Sequence, residues 1–159
     1  MAQEGILQVE ERIWYSIKTR CRSEKRVAAR LSSVGSVEVY LPLCNHGRLP
    51  LIPQYLFFRC NPIKVGICSK IDGTIAGSIK AVNNQEIELV RKMEAQAEKD
   101  HPVRRGVIFQ AVRRKGASIK PGINLLPGCH LYLRFESVPE IEICLKCSPI
   151  SPEEMDEIE

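Results

Sequence analysis

The spacing of apolar and polar positions changes several times along the chain, and each rhythm predicts an element. Ile13 to Thr19 (IWYSIKT) is a run of aromatic and β-branched residues and reads as a strand. From Ser23 to Val34 the period lengthens. Val27, Ala28, Leu31 and Val34 make a helical apolar stripe, with Ser23 as its cap and Gly35 as its left-handed stop. Arg22, Arg26 and Arg30 follow at i, i+4 and i+8, which puts them on one other face. Val37 to Leu43 alternates and predicts a second strand, followed by a turn over Asn45 to Arg48. Leu51 to Arg59 (LIPQYLFFR) is mostly apolar and predicts a third, central strand. Pro62 to Val65 leaves room for about one helical turn. Ile67 to Ile71, the turn Asp72-Gly73, and Ser78 to Val82 suggest a hairpin with a loose second arm. Asn84 then caps a long helix to about Lys99, with Ile87, Val90, Met93 and Ala97 on one face.

The later part has a different texture. Asp100 to Arg105 carries a proline and charges and reads as a linker. Val107 to Val112, Ile119 to Leu126, His130 to Phe135 and Glu140 to Leu145 are short strands separated by Gly and Pro. That is the pattern of a small β-barrel or sheet. The end, SPISPEEMDEIE, is acidic.

The 159 residues are 44 % apolar, enough for a core and against a wholly disordered chain. No apolar run approaches the ~18 residues of a membrane span, and MAQEGILQVEER does not read as a secretory leader. Seven Cys, an odd number without a framework, favour a reducing, cytoplasmic setting. The net charge of +4 conceals three segments. Lys18 to Arg30 sums to +5, Pro102 to Gly122 to +6, and Glu136 to the end to −7. Basic segments are a footprint of phosphate binding, and equally a feature of solvated faces.

WYSIKTRCRSEKRVAARLSSVGSVEVYLPL followed by LIPQYLFFR resembles the N-terminal (NGN) domain of NusG-type transcription elongation factors. The family pattern is a Trp-Tyr strand, a basic helix with Glu-Lys, a strand ending in Leu-Pro, and a Pro-aromatic-Tyr-Leu-Phe strand. Trp14, Tyr15, Glu24, Lys25, Leu41, Pro42, Pro53, Tyr55, Leu56 and Phe57 follow it in order. HLYLRFESVPEIEICLKCSPI is similar to the last two strands of the KOW barrel, with only Gly116 and Gly122 for its glycine pattern. The nearest likeness is to specialised UpxY/RfaH-like NusG paralogues, antiterminators of their operons.

The resemblance implies an α+β chain: an NGN α/β sandwich at 13–100, a linker at 101–106, and a small, degenerate KOW-like β-barrel at 107–147. Residues 1–12 and 148–159 would be tails. It implies no cofactor and no catalysis. The NGN domain would dock a hydrophobic concavity, Tyr15, Ile17, Pro53, Tyr55 and Phe57, on the clamp helices of RNA polymerase's largest catalytic subunit. The first helix, with Lys18, Arg20, Arg22, Arg26 and Arg30, would face upstream or non-template DNA. The KOW-like part would recruit a ribosomal protein or a termination factor. In some relatives the loop between the second and third strands and the helix after Arg59 also touch polymerase or DNA.

The residues themselves leave alternatives. Tyr55 and Phe57 point one way from a strand and Leu56 and Phe58 the other, so one set can form a partner surface, or both can be core. A free-standing RNA or DNA module would instead use residues 55, 57 and 58 as stacking platforms. Cys144-Leu-Lys-Cys147 lacks the second pair a zinc site wants, and in a strand its thiols point to opposite faces. Cys44 and His46 share a turn, whereas a nucleophile and its base are normally assembled in space.

Overall fold

The computed structural model describes residues 11–44, 47–97, 101–102, 122–126 and 130–146. In chain order the elements are β1 (Ile13–Lys18), α1 (Glu24–Ser32), β2 (Glu38–Tyr40), β3 (Leu43–Cys44), β4 (Leu49–Pro50) and β5 (Tyr55–Cys60). A 3-10 turn (Pro62–Lys64) runs into α2 (Val65–Cys68), followed by β6 (Lys80–Val82) and α3 (Asn84–Ala97). The last strands are β7 (His101–Pro102), β8 (Gly122–Leu126), β9 (His130–Arg134) and β10 (Glu142–Lys146). The strand expected at 107–112, the bases from Arg104 to Lys120 and the acidic end lie outside the described residues.

Contacts divide the chain into two units, one of Met1–Leu41 and Pro53–Asn83, the other of Pro42–Ile52 and Asn84–Glu159. The first unit holds an antiparallel sheet of order β2-β5-β1-β6. β5, the most apolar strand, lies inside it, as its composition predicts. One sheet face meets α1: Ile17, Leu56, Phe58 and Cys60 form a single buried cluster with Val27, Leu31 and Cys68. Burying each large side chain of such a cluster contributes about 1.5–3 kcal/mol, so this is what holds α1 on the sheet.

Several local expectations change. Ser23 precedes α1 but its hydroxyl makes no cap bond. It accepts instead from Arg26 Nη2 at 3.1 Å, because Arg stands where a capping box has Glu. Arg22 lies before the helix with φ 62, so it does not continue the stripe of Arg26 and Arg30. The left-handed residue after α1 is Ser36 (φ 61), one place beyond Gly35. Leu51 to Gln54 is a turn, not strand, with Gln54 at φ 69. The hairpin expected from Ile67 does not form. Residues 65–68 are helical, and β6 pairs with β1, Trp14 opposite Val82. The helical segment after β5 is thus longer than one turn, running from Pro62 to Cys68.

The second unit holds the two-stranded pair β3-β4 and an antiparallel sheet of order β7-β10-β9-β8. Helix α3 lies against β8 and β9. Its stripe of Ile87, Val90, Met93 and Ala97 is buried, as its spacing predicts. Glu86, in its first turn, is buried as well. The Glu136 amide donates to Glu86 Oε2 at 2.8 Å, the Ser137 amide at 3.2 Å, and the Ser137 hydroxyl donates to Oε1. One carboxylate therefore fixes the turn between β9 and β10.

Candidate functional site

Strand register decides which expected contact residues share a surface. Tyr15 lies opposite Phe58 and Ile17 opposite Leu56, so these point toward α1. Lys18 lies opposite Tyr55, Ser16 opposite Phe57 and Trp14 opposite Arg59, so these point to the other face. Tyr15 and Ile17 are thus separated by the sheet from Tyr55 and Phe57. Ile17 and Phe57 are wholly buried, Tyr15 and Tyr55 are half-buried, and Pro53 is exposed. Tyr15 stacks on Phe58 with centroids 5.5 Å apart. Burial is also the main cause that raises its phenol pKa.

The face of Tyr55 and Phe57 carries an aromatic group that periodicity alone did not assemble. Tyr40 stacks on Phe57 at 6.1 Å and meets Trp14 edge-on at 6.5 Å. The Arg59 guanidinium lies 5.5 Å from the Trp14 ring and pairs with Glu38 at 3.2 Å. Alternation in β1 separates Trp14 from Tyr15, but only the β1–β5 register shows that Trp14 joins Phe57. A second surface was also missed. Ile63 is 83 % exposed and Ile67 58 % exposed, four residues apart on the helical segment after β5. Their spacing of four is the signal the sequence offers for it.

The basic residues are brought to the turn between β1 and α1 and along α1. Arg20, Arg22, Arg26 and Arg30 are exposed and Lys18 is half-buried. Arg30 is engaged: its Nη1 donates to the Asp72 carbonyl at 2.9 Å and approaches Asp72 Oδ2 at 3.4 Å. The basic turn is anchored on both sides. The Arg20 amide donates to the Gly73 carbonyl and the Thr19 amide to the Gln54 carbonyl, each at 2.8 Å. The Gln54 amide in turn donates to Glu24 Oε2 at 2.8 Å. Glu24, buried at the start of α1, thereby locks the turn that bears Pro53 beside the turn that bears Arg20. Positively charged groups and the exposed rim of Pro53 and Tyr55 meet at one end of the sheet.

Thiol chemistry is disfavoured where sequence had raised it. Burial pushes Cys144 up to about 11, with Glu142 adding to the rise, and it raises Cys44, with Glu94 adding. Both shifts favour the protonated thiol near neutral pH, which weighs against a thiolate nucleophile. His46 and Cys147 lie outside the described residues.

The family profile described as "Transcription termination factor nusG" matches residues 12–97. No curated protein matches the chain. Among solved structures, the chain is similar to Thermotoga maritima NusG, in a structure titled for its domain interaction. Identity is 12 %, the match covers 85 % of this chain and 93 % of that one, and the TM-score is 0.47.

Proposed function

The chain belongs to the NusG family, and on that premise we propose that it is a specialised, UpxY/RfaH-like paralogue that rides on RNA polymerase and promotes elongation or antitermination. It bridges the polymerase cleft, with an apolar surface on the clamp helices and the basic turn and helix on upstream or non-template DNA. Two such contacts on one rigid module reinforce each other through effective concentration, without catalysis. The observation that carries this reading is the Thr19–Gln54–Glu24 joint, which holds the basic turn beside Pro53 and Tyr55.

Of the expected contact residues, Pro53 and Tyr55 offer surface and Phe57 shapes it from beneath, while Tyr15 and Ile17, on the α1 face of the sheet, take no part in it. Ile63 and Ile67 supply a further apolar contact. Lys18, Arg20, Arg22 and Arg26 take phosphates, and Arg supplies fixed charge with a planar fork for them. The domain plan is an NGN-like module at 13–100, a linker at 101–106 and a KOW-like module at 107–147 that recruits a ribosomal protein or termination factor.

The test is co-purification of the full chain with core RNA polymerase, followed by elongation through a terminator. Wild type is expected to bind and to increase read-through. The Tyr55→Ala variant is expected to lose about tenfold in binding while remaining folded, the size of a moderate aromatic anchor. Binding of wild type to naked DNA with no retention on polymerase would replace this reading with a free-standing nucleic-acid module.

A further inference from the structure

Asp72 is the sole acid between Arg59 and Glu86 in the sequence. It is held beside the basic helix by the backbone on both sides. The Thr74 amide donates to the Ile71 carbonyl at 3.3 Å, and Thr19 and Thr74 form a β-bridge. Gly73 sits at φ +98, pressed so closely on α1 that a Cβ there would lie 2.9 Å from Val27 Cγ2. Asp72 therefore does not sit on a loose loop. It is presented to Arg30 by a turn that also anchors Arg20.

The pair is end-on and exposed. Asp72 engages one guanidinium nitrogen, and the side chains keep 43 % and 78 % of their accessible surface. Such pairs are weak, because water and salt compete with them. A phosphate offers the same guanidinium a charge-assisted, bidentate partner. Both draw on one cation, and a carboxylate beside it weakens the pull on a phosphate.

We propose that Asp72 is an electrostatic brake on nucleic-acid binding: its carboxylate beside Arg30 offsets that cation's charge and weakens its hold on a DNA phosphate. The proposal rests on the DNA-facing role given to the basic helix above. Asp72 is a positioning residue here, because it acts through Arg30 and touches no nucleic acid. Its effect is to lower the affinity for phosphate backbones in general, so that the basic helix engages DNA firmly only where other contacts hold it.

The experiment measures binding of the full chain to a fluorescein-labelled 20-base-pair DNA duplex by anisotropy at several salt concentrations. Asp72→Asn keeps the backbone carbonyl that Arg30 uses, and a thermal melt checks that the fold is kept. This variant is expected to bind about three- to fivefold tighter than wild type at low salt. Its log–log salt slope is expected to steepen by about 0.9, one added phosphate contact. The double variant Asp72→Asn/Arg30→Gln is expected to bind no tighter than Arg30→Gln alone. An unchanged affinity and slope for Asp72→Asn would overturn the brake. So would an equal gain in the Arg30→Gln background, since that gain would come from overall charge. If wild type shows no salt-dependent binding to the duplex, the DNA-facing role itself fails and the brake with it.

Discussion

Single residues in the first unit carry roles that their chemical type does not announce. Glu24 belongs to a basic helix, yet it is buried and accepts the amide of Gln54, a residue held at φ 69. A left-handed non-glycine costs roughly 1 kcal/mol, and a charge-assisted bond of about 1.5–3 kcal/mol offsets it. Glu24→Ala should therefore destabilise by about 2–3 kcal/mol in urea melts and loosen the Pro53 turn. Ser23→Ala should cost under about 0.5 kcal/mol, below the ~1 kcal/mol of an ordinary cap, because Ser23 makes no cap bond. Gly73→Ala should cost about 2 kcal/mol or more, since both the positive φ and the 2.9 Å approach to Val27 oppose a methyl. The buried thiols predict an alkaline signature. Cys68 and Cys144 are each raised from 9.0 to about 11 by burial first, so the folded state binds protons that the unfolded state releases. Their contribution is fully present below pH 9 and is lost as pH rises toward about 11. The denaturation midpoint should fall over that window, and less steeply in a Cys144→Ala variant.

At the scale of elements, the helices and central strands were legible because one period dominates each of them. The stripes of α1 and α3 are read directly from Val27 and Leu31 and from Ile87, Val90, Met93 and Ala97, all of them buried. The segment from Ile67 to Ile71 misled because its apolar residues are compatible with either a strand or a helical turn. Asn61 resolved it by capping the 3-10 turn, its side chain accepting from the Ile63 amide at 3.1 Å. The candidate surface was only partly legible for a different reason. Alternation separates the two faces of one strand, but register between β1 and β5 decides that Tyr15 and Tyr55 part company, and turns far apart in sequence set that register. At the turn between β9 and β10, Glu86→Ala leaves the amides of Glu136 and Ser137 without their acceptor. It should cost about 2–4 kcal/mol and speed hydrogen exchange at those two amides.

For the whole molecule, the useful contrast is between positions that hold the fold and positions that face a partner. Phe57→Ala removes a fully buried ring and should cost about 3–5 kcal/mol, so lost polymerase binding in that variant would report unfolding. Ile63→Ser with Ile67→Ser changes exposed side chains, so the melting temperature should hold while co-purification with polymerase weakens about tenfold. Unchanged co-purification would remove that segment from the proposed interface. Helix α3 has a consequence for the newborn chain. Its buried stripe lies against β8 and β9, and its Glu86 waits for partners 50 residues downstream. At about 5–20 residues per second, translation leaves the greasy side of α3 without those strands for roughly 2–7 s after the helix is made. In that interval the nascent chain offers a sticky amphipathic helix to chaperones and to other polypeptides emerging nearby.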